Sequence, residues 1–139
     1  MIITYRALTT ADLEGVRQLY RAEGWTAYLH DDARLARAWG NSLYACGAFD
    51  GETLIGFIRC IGDGEHTVLI QDLLVRREYR RLAIGRTLTK AVLERYRQVR
   101  QLFVVTDADT PAVAFYRAIG LQPFSEGGLL ALYRGDLRA

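Results

Sequence analysis

The sequence predicts a single α/β domain over residues 1–139, with a mixed, mostly antiparallel sheet of about seven strands and four helices. Three observations lead there. Strand-like runs at Ser42–Phe49, Thr53–Ile61 and His66–Val75 follow one another through tight turns, as antiparallel neighbours do. Helical spacing then takes over from Ile84, with Leu88, Ala91, Val92, Tyr96 and Val99 on the same face. Beyond that helix of about fourteen residues lies Gln101–Thr106, almost continuously apolar, and such a crossover joins parallel strands.

The elements follow in order. Ile2–Leu8 alternates as a short strand with Ile3, Tyr5 and Ala7 on one face. Thr9 and Asp12 resemble a capping box with Asp in place of Glu, and Leu13, Val16, Leu19 and Tyr20 form the inward stripe of the helix that follows. That helix ends near Glu23-Gly24, and the aromatic segment Gly24–His30 has no clear period. Asp31 or Asp32 caps a second helix, which carries Leu35, Ala38 and Trp39 and stops at Gly40. Asp50-Gly51-Glu52 is a hairpin signal, and Gly62-Asp63-Gly64 makes the next turn. Gln101–Thr106 reads as a central strand buried on both faces. Thr110 caps and Pro111 opens a helix with Val113, Tyr116 and Ile119 on one face, ended by Gly120. Leu121–Phe124 and Leu129–Tyr133 read as a last pair of strands around Ser125-Glu126-Gly127-Gly128.

Composition narrows the function classes. A chain of 139 residues that is 50% hydrophobic is long enough to bury a core. A formal charge of +2 gives no global support to nucleic-acid binding. No charged-then-apolar leader and no run of about eighteen apolar residues is present, so the expectation is a cytoplasmic protein with no membrane partner. Cys46 and Cys60 lack metal-site spacing and read as small buried hydrophobes, with a disulfide between them left open. His30 and His66 make no ligand spacing either, so no metal is expected.

The most informative stretch is Ile70–Thr87, IQDLLVRREYRRLAIGRT. Ile70, Leu73, Leu74 and Val75 make a buried strand, interrupted by Gln71 and Asp72. Arg76–Leu82 is too charged to bury, and a helix begins at Ile84. A helix start presents unpaired N–H groups and roughly half a positive charge. Gly85 admits close approach to the backbone, and Arg80, Arg81 and Arg86 surround the turn, which together suit a phosphate or pyrophosphate. The bland alternative is a strand-to-helix turn with a solvated arginine face. No Gly-Lys pair forms a Walker loop, and the dinucleotide fingerprint G-x-G-x-x-G is missing.

What stands there, Arg80-Arg81-Leu82-Ala83-Ile84-Gly85, resembles the [Q/R]-x-x-G-x-[G/A] signature of the GNAT superfamily of N-acetyltransferases. Ala83 takes the place of the first glycine. It carries a steric cost if that position needs φ > 0 and none if it is helical. A second segment, Asp109–Leu121, is similar to the family's N-x-x-A-x-x-x-Y-x-x-x-G-F pattern at Ala112, Tyr116 and Gly120, with Asp109 and Leu121 departing. The element order is also that of the GNAT-type fold, so the resemblance covers essentially the whole chain.

The resemblance implies acetyl-CoA as cosubstrate. Leu73, Leu74 and Val75 would lend backbone groups to the pantetheine arm and thioester. Arg80, Arg81, Leu82, Ala83, Ile84, Gly85 and Arg86 would hold the pyrophosphate through backbone N–H groups, and Thr87 would add a hydroxyl. Asp109 and Tyr116 would take the other side of the cofactor, although a carboxylate at Asp109 cannot donate as an asparagine amide does. The implied reaction is transfer of acetyl to a primary amine of a small molecule or peptide, by direct attack in a ternary complex.

Tyr116 is the candidate acid, since a phenol with a pKa near ~10 is protonated at neutral pH; its alternative is a core aromatic. Asp72 is the candidate base, acting through water or with a burial-raised pKa, with Glu65 and His66 in reserve and Gln71 orienting a water. Its alternative is a turn cap or a partner for an arginine. A bulge at Gln71-Asp72 would aim a backbone N–H near Leu73 or Leu74 at the acetyl oxygen.

The acceptor would enter between Gly24–His30 and Ser125–Gly128, where Trp25, Tyr28, Asp31, Asp32 and Glu126 form an aromatic and acidic mouth; the alternative makes the rings core and the acids caps. Two other classes stay in view: a non-catalytic acyl-CoA-binding or sensor domain, and a nucleic-acid-binding domain using Arg76–Arg100, which the small net charge disfavours. A homodimer is compatible with the sequence.

Overall fold

The computed structural model of the chain describes residues 1–135, as two compact units divided after Val104. The first unit holds one five-stranded sheet in the order β1-β2-β3-β4-β5: β1 (Ile3–Ala7), β2 (Tyr44–Asp50), β3 (Thr53–Gly62), β4 (Thr67–Val75) and β5 (Gln101–Val104). β1 to β4 run antiparallel to one another in turn and β5 is parallel to β4, so the mixed, mostly antiparallel sheet expected from the sequence is observed. Its helices are α1 (Leu13–Ala22), α2 (Asp32–Gly40) and α3 (Ile84–Arg95). The second unit contains α4 (Pro111–Ile119) and a 3-10 turn over Phe124–Gly127.

Local chemistry accounts for the helix starts. Thr9 and Asp12 close a complete capping box, in which the Thr9 hydroxyl accepts from the Ala11 N–H and Asp12 accepts from the Thr9 N–H at 2.8 Å. Asp31 caps α2 by accepting from the Arg34 N–H at 3.0 Å. Gly51, at φ +62°, turns the β2–β3 hairpin. At the β3–β4 turn the Asp63 carboxylate accepts three backbone N–H groups, from Glu65, His66 and Thr67, which hold its pKa down to about 2.

The sheet has a core on each face. On one side, Val16, Leu19 and Tyr20 of α1 and Leu35 and Trp39 of α2 pack with Phe49, Leu54, Phe57 and Leu74. On the other, Ile84, Leu88 and Val92 of α3 pack with Ala48, Ile55, Ile58, Val68 and Ile70. Residues 45–49 of β2 and 54–60 of β3 are therefore buried without alternation, as in strands covered on both faces. Cys46 and Cys60 lie in the second core as free thiols, and burial pushes the Cys60 thiol up to about 12. No helix of the described residues is long and apolar enough to cross a membrane.

Several expectations are corrected. The described residues form five strands rather than about seven, because neither Leu121–Phe124 nor Leu129–Tyr133 joins a sheet. Pro123 has no N–H to give a ladder, and the chain turns at Phe124–Gly127 into left-handed Gly128. The second run has strand composition, yet Leu132 and Tyr133 stay 86% exposed, since composition makes no strand without a ladder. β5 has four half-buried residues at the end of the strand order, not a central strand buried on both faces. In β1 only Ile3 of the expected face is half-buried, while Tyr5 and Ala7 are exposed on an edge strand. On α3, Thr89 is buried and Ala91 exposed, because the Thr89 hydroxyl donates to the Gly85 carbonyl at 2.8 Å and needs no water.

One buried ion pair joins these parts. Arg59 Nε donates to Asp72 Oδ2 at 2.7 Å across the β3–β4 pair, with side-chain exposures of 8% and 0%. The Tyr20 hydroxyl of α1 donates to the same oxygen at 3.0 Å, and Arg59 Nη1 donates to Ser42 Oγ, just beyond α2, at 3.2 Å. Removing one partner leaves the other charge buried and bare. Arg59→Met is expected to cost about 3–5 kcal/mol in chemical denaturation, and Arg59→Met combined with Asp72→Leu to recover a large part of it.

Candidate active site

The strand that ends at Val75 delivers the chain into a turn that is strained at two places. A 3-10 turn over Arg77–Tyr79 is followed by extended Arg80, left-handed Arg81 (φ +73°) and left-handed Ala83 (φ +59°), the N-cap of α3. Each non-glycine residue in that region costs about 1–2 kcal/mol. Such strain persists where surrounding contacts over-determine the backbone.

Those contacts are visible. The Tyr79 hydroxyl donates to Asp50 Oδ2 at 2.6 Å, tying the turn to the β2–β3 hairpin. Arg80 Nη2 pairs with Glu23 Oε1 at 2.8 Å, just past α1, and Arg80 Nε donates to the Val75 carbonyl at 3.3 Å. The first i→i−4 bond of α3 is Thr87 N–H to the Ala83 carbonyl at 2.9 Å, so the N–H groups of Ile84, Gly85 and Arg86 have no acceptor within the helix. Arg81 and Arg86 are exposed and form no ion pair among the described residues. Free N–H groups at the positive end of a twelve-residue helix, with two unneutralised guanidinium groups beside them, suit a phosphate or pyrophosphate. Arg80 itself is spent on Glu23, and the Thr87 hydroxyl donates to the Ala83 carbonyl at 2.8 Å.

The question left by Ala83 has an answer: its φ is positive, so the position carries a steric cost that glycine would not.

Beside this turn, β4 carries a bulge. Arg59 pairs with Asp72 and Cys60 with Ile70, which leaves Gln71 as the extra residue. The bulge changes which face the strand presents. Val68 and Ile70 before it, and Leu73 and Val75 after it, pack on the α3 side, while Leu74 packs with α1 and α2. Asp72 reaches Tyr20, and Gln71 Nε2 donates to the Tyr28 hydroxyl at 3.2 Å. Oδ1 of Asp72 is buried with no hydrogen-bond partner among the described residues.

Gly24 (φ +75°) ends α1, and the Trp25 N–H returns to the Tyr20 carbonyl at 2.8 Å. The Trp25 ring stacks on Tyr20 at 6.1 Å between centroids, and the Tyr28 ring tilts against Tyr20 at 4.9 Å. Burial, then the Asp72 carboxylate, holds the Tyr28 phenol above its ordinary value; the same causes act more strongly on Tyr20. The expected acids here are already engaged. Asp31 is the cap of α2, and Asp32 pairs with Arg17 at 3.3 Å. Glu65 and His66 lie at the Asp63 turn, where their N–H groups bond its carboxylate.

In the second unit, Asp109 is exposed in the turn before α4, and the Thr110 hydroxyl donates to the Asp107 carbonyl at 3.1 Å instead of capping the helix. Tyr116 is buried, its ring edge-on to Phe115 at 5.1 Å, and burial pushes its phenol above the ordinary value. Glu126 is paired with Arg117. No group of three or more His, Cys, Asp and Glu side chains among the described residues is arranged to hold a metal.

Glu23, Asp50 and Tyr79 are the residues that sequence reading missed, as their partners lie 57 and 29 positions away.

Ala83→Gly is expected to raise stability by about 0.5–1 kcal/mol in thermal or denaturant unfolding, strain relief exceeding the added unfolded-state entropy.

Comparison with known proteins accords with this arrangement. Comparison with curated proteins gives no match. The chain is similar to a GNAT-family acetyltransferase, SP0256, from Streptococcus pneumoniae TIGR4, with 32% identity, a TM-score of 0.85, and 97% of this chain and 98% of that one covered. At 21% identity it shares the fold of the aminoglycoside acetyltransferase meta-AAC0020 from an uncultured soil metagenomic sample, solved with sisomicin, with a TM-score of 0.72 and 97% of each chain covered. At 22% identity it shares the fold of the PaiA N-acetyltransferase of Thermoplasma acidophilum, solved with coenzyme A, with a TM-score of 0.65 over 88% of this chain and 91% of that one. Residues 12–121 match the acetyltransferase (GNAT) family, and with them the strand, strained turn and helix start described above: the chain belongs to that family.

Proposed function

We propose that this protein transfers acetyl from acetyl-CoA to a primary amine of a small molecule or peptide, by direct attack in a ternary complex. The observation that carries the reading is the pinned, doubly left-handed turn at the start of α3, whose free N–H groups and unpaired Arg81 and Arg86 fit a pyrophosphate. Family membership supports acyl transfer, and a relative of the same fold is solved with coenzyme A.

In this proposal the backbone of Leu73, Leu74 and Val75 positions the pantetheine arm and thioester, and the turn from Arg80 to Arg86 holds the pyrophosphate through its N–H groups. Arg80 serves by bracing the turn through Glu23, and Thr87 by closing its first helical bond. Asp109 and Tyr116 keep the cofactor roles that the family resemblance implies. The amine nitrogen attacks the acetyl carbon, a C–N bond forms, and the C–S bond breaks. Tyr116 gives its phenolic proton to the leaving sulfur. Burial holds the phenol above its ordinary value, so it stays protonated at neutral pH until the developing thiolate takes the proton.

Asp72 changes role. Its carboxylate is buried and its Oδ2 is held by Arg59 and Tyr20, so a substrate amine has no direct access to it. It acts as a positioning residue that fixes the bulge. The amine's proton leaves through water at Gln71 and the Tyr28 hydroxyl, which the bulge brings together.

Calorimetric titration with acetyl-CoA, CoA and ATP tests the binding half. Acetyl-CoA and CoA should bind, ATP should not, and Gly85→Asp should abolish binding by placing a carboxylate at the anion site. A folded wild-type protein that binds no CoA overturns the proposal. Tyr116→Phe is expected to lower kcat by about 10²-fold with the acetyl-CoA affinity unchanged. CoA binding without turnover of any amine would instead favour an acyl-CoA sensor.

A further inference from the structure

The identity of the acceptor is written in the charge balance around the Trp25 segment, and the argument rests on the acetyl transfer proposed above. An enzyme that takes a polycation needs carboxylates free to meet the extra charges. The acids in and around the expected mouth in the first unit are already engaged. Glu23 pairs with Arg80 at 2.8 Å, Asp72 with Arg59 at 2.7 Å, and Asp32 with Arg17 at 3.3 Å, an arginine it shares with Glu14. Asp31 is held by the Arg34 N–H at the start of α2, with Arg34 and Arg37 adding positive potential. The two exposed acids, Asp31 and Asp32, therefore each lie against arginines.

What the face offers instead is flat and aromatic. Trp25 is 36% exposed, although a tryptophan packed on a tyrosine could have been covered fully. Behind it stand Tyr20 and Tyr28, and Phe57 backs Tyr20 edge-on at 5.7 Å. The backbone that carries the rings is held by the Trp25 and Leu29 N–H groups, which bond to the Tyr20 and Thr26 carbonyls. Gln71, lifted by the β4 bulge, donates to the Tyr28 hydroxyl and keeps its amide oxygen to accept an N–H. The unpartnered Oδ1 of buried Asp72 lies on the same side of the sheet, a polar atom behind this wall that no described residue satisfies.

We infer that the acceptor is an amine bearing an aromatic or similarly flat apolar group and a single positive charge, with Trp25 and Tyr28 as its specificity-determining rings and Gln71 as the group that hydrogen-bonds its nitrogen. One ammonium can be met by the ring faces, whereas further charges would enter uncompensated.

The test uses the full chain with saturating acetyl-CoA, following thiol release with 2-phenylethylamine and tryptamine against spermidine and sisomicin. The aromatic monoamines should exceed both polycations about tenfold or more in kcat/KM, and raising salt from about 50 to about 300 mM should change their KM less than about twofold. Trp25→Ala should raise their KM about tenfold with kcat and the calorimetric acetyl-CoA affinity nearly unchanged, and Trp25→Phe should restore most of it. Should Trp25→Ala fail to fold, Trp25→Leu and the wild-type salt series carry the same test. Preference for spermidine or sisomicin overturns the inference, as do a KM that climbs steeply with salt and a normal KM in Trp25→Ala. Acetyl-CoA binding without calorimetric binding of 2-phenylethylamine also overturns it while leaving the cofactor site standing; loss of acetyl-CoA binding itself removes the proposed function and this inference together.

Discussion

The buried pair of Arg59 and Asp72 is the constraint around which the first unit is arranged. Two charges taken from water into a core must be paired and hydrogen-bonded, and here the partners come from β3, β4, α1 and the chain just beyond α2. Such a pair adds little stability compared with well-packed apolar side chains, but it can be satisfied in one arrangement only. Slipping β4 by one residue would turn Asp72 away from Arg59 and Tyr20 and leave both charges bare. The bulge at Gln71 and the aromatic packing around Tyr20 are both consequences of that arrangement.

A second constraint acts at the other end of β4. The turn over Arg80–Ala83 contains two left-handed residues that are not glycine, and it is held by Tyr79 on Asp50 and by Arg80 on Glu23. Strain in one short turn is offset by contacts made with two other elements. The consequence is a set of helix N–H groups held ready for an anion, with little ordering left for the ligand to impose. Glu23 connects the two constraints, since the residue that braces the anion turn sits immediately before the aromatic segment at Trp25.

Much of this could be read from residues. The capping box at Thr9 and Asp12, the cap at Asp31, the hairpin at Gly51 and the inward stripe of α1 all depend on neighbours within a few positions. So does the break at Gln71-Asp72, which polar residues in an apolar strand announce and which proves to be a bulge. Whether Leu129–Tyr133 or Gln101–Thr106 has two neighbours depends on pairing elsewhere, and there the pattern misled. Glu23 and Asp32 near Trp25 look available in sequence, yet each pairs with an arginine that only folding brings close.

The sequence by itself determined the order of elements, the helix start that suits an anion and the family to which the chain belongs, because these rest on short-range periodicity, capping and motif spacing. The tertiary structure alone decided that Ala83 is left-handed, that Asp72 is a buried partner of Arg59, and that the Trp25 ring stacks on Tyr20. Each of those depends on which side chains meet in the folded chain, and hydrogen bonds and charge pairs are decided by distance in space, not along the chain.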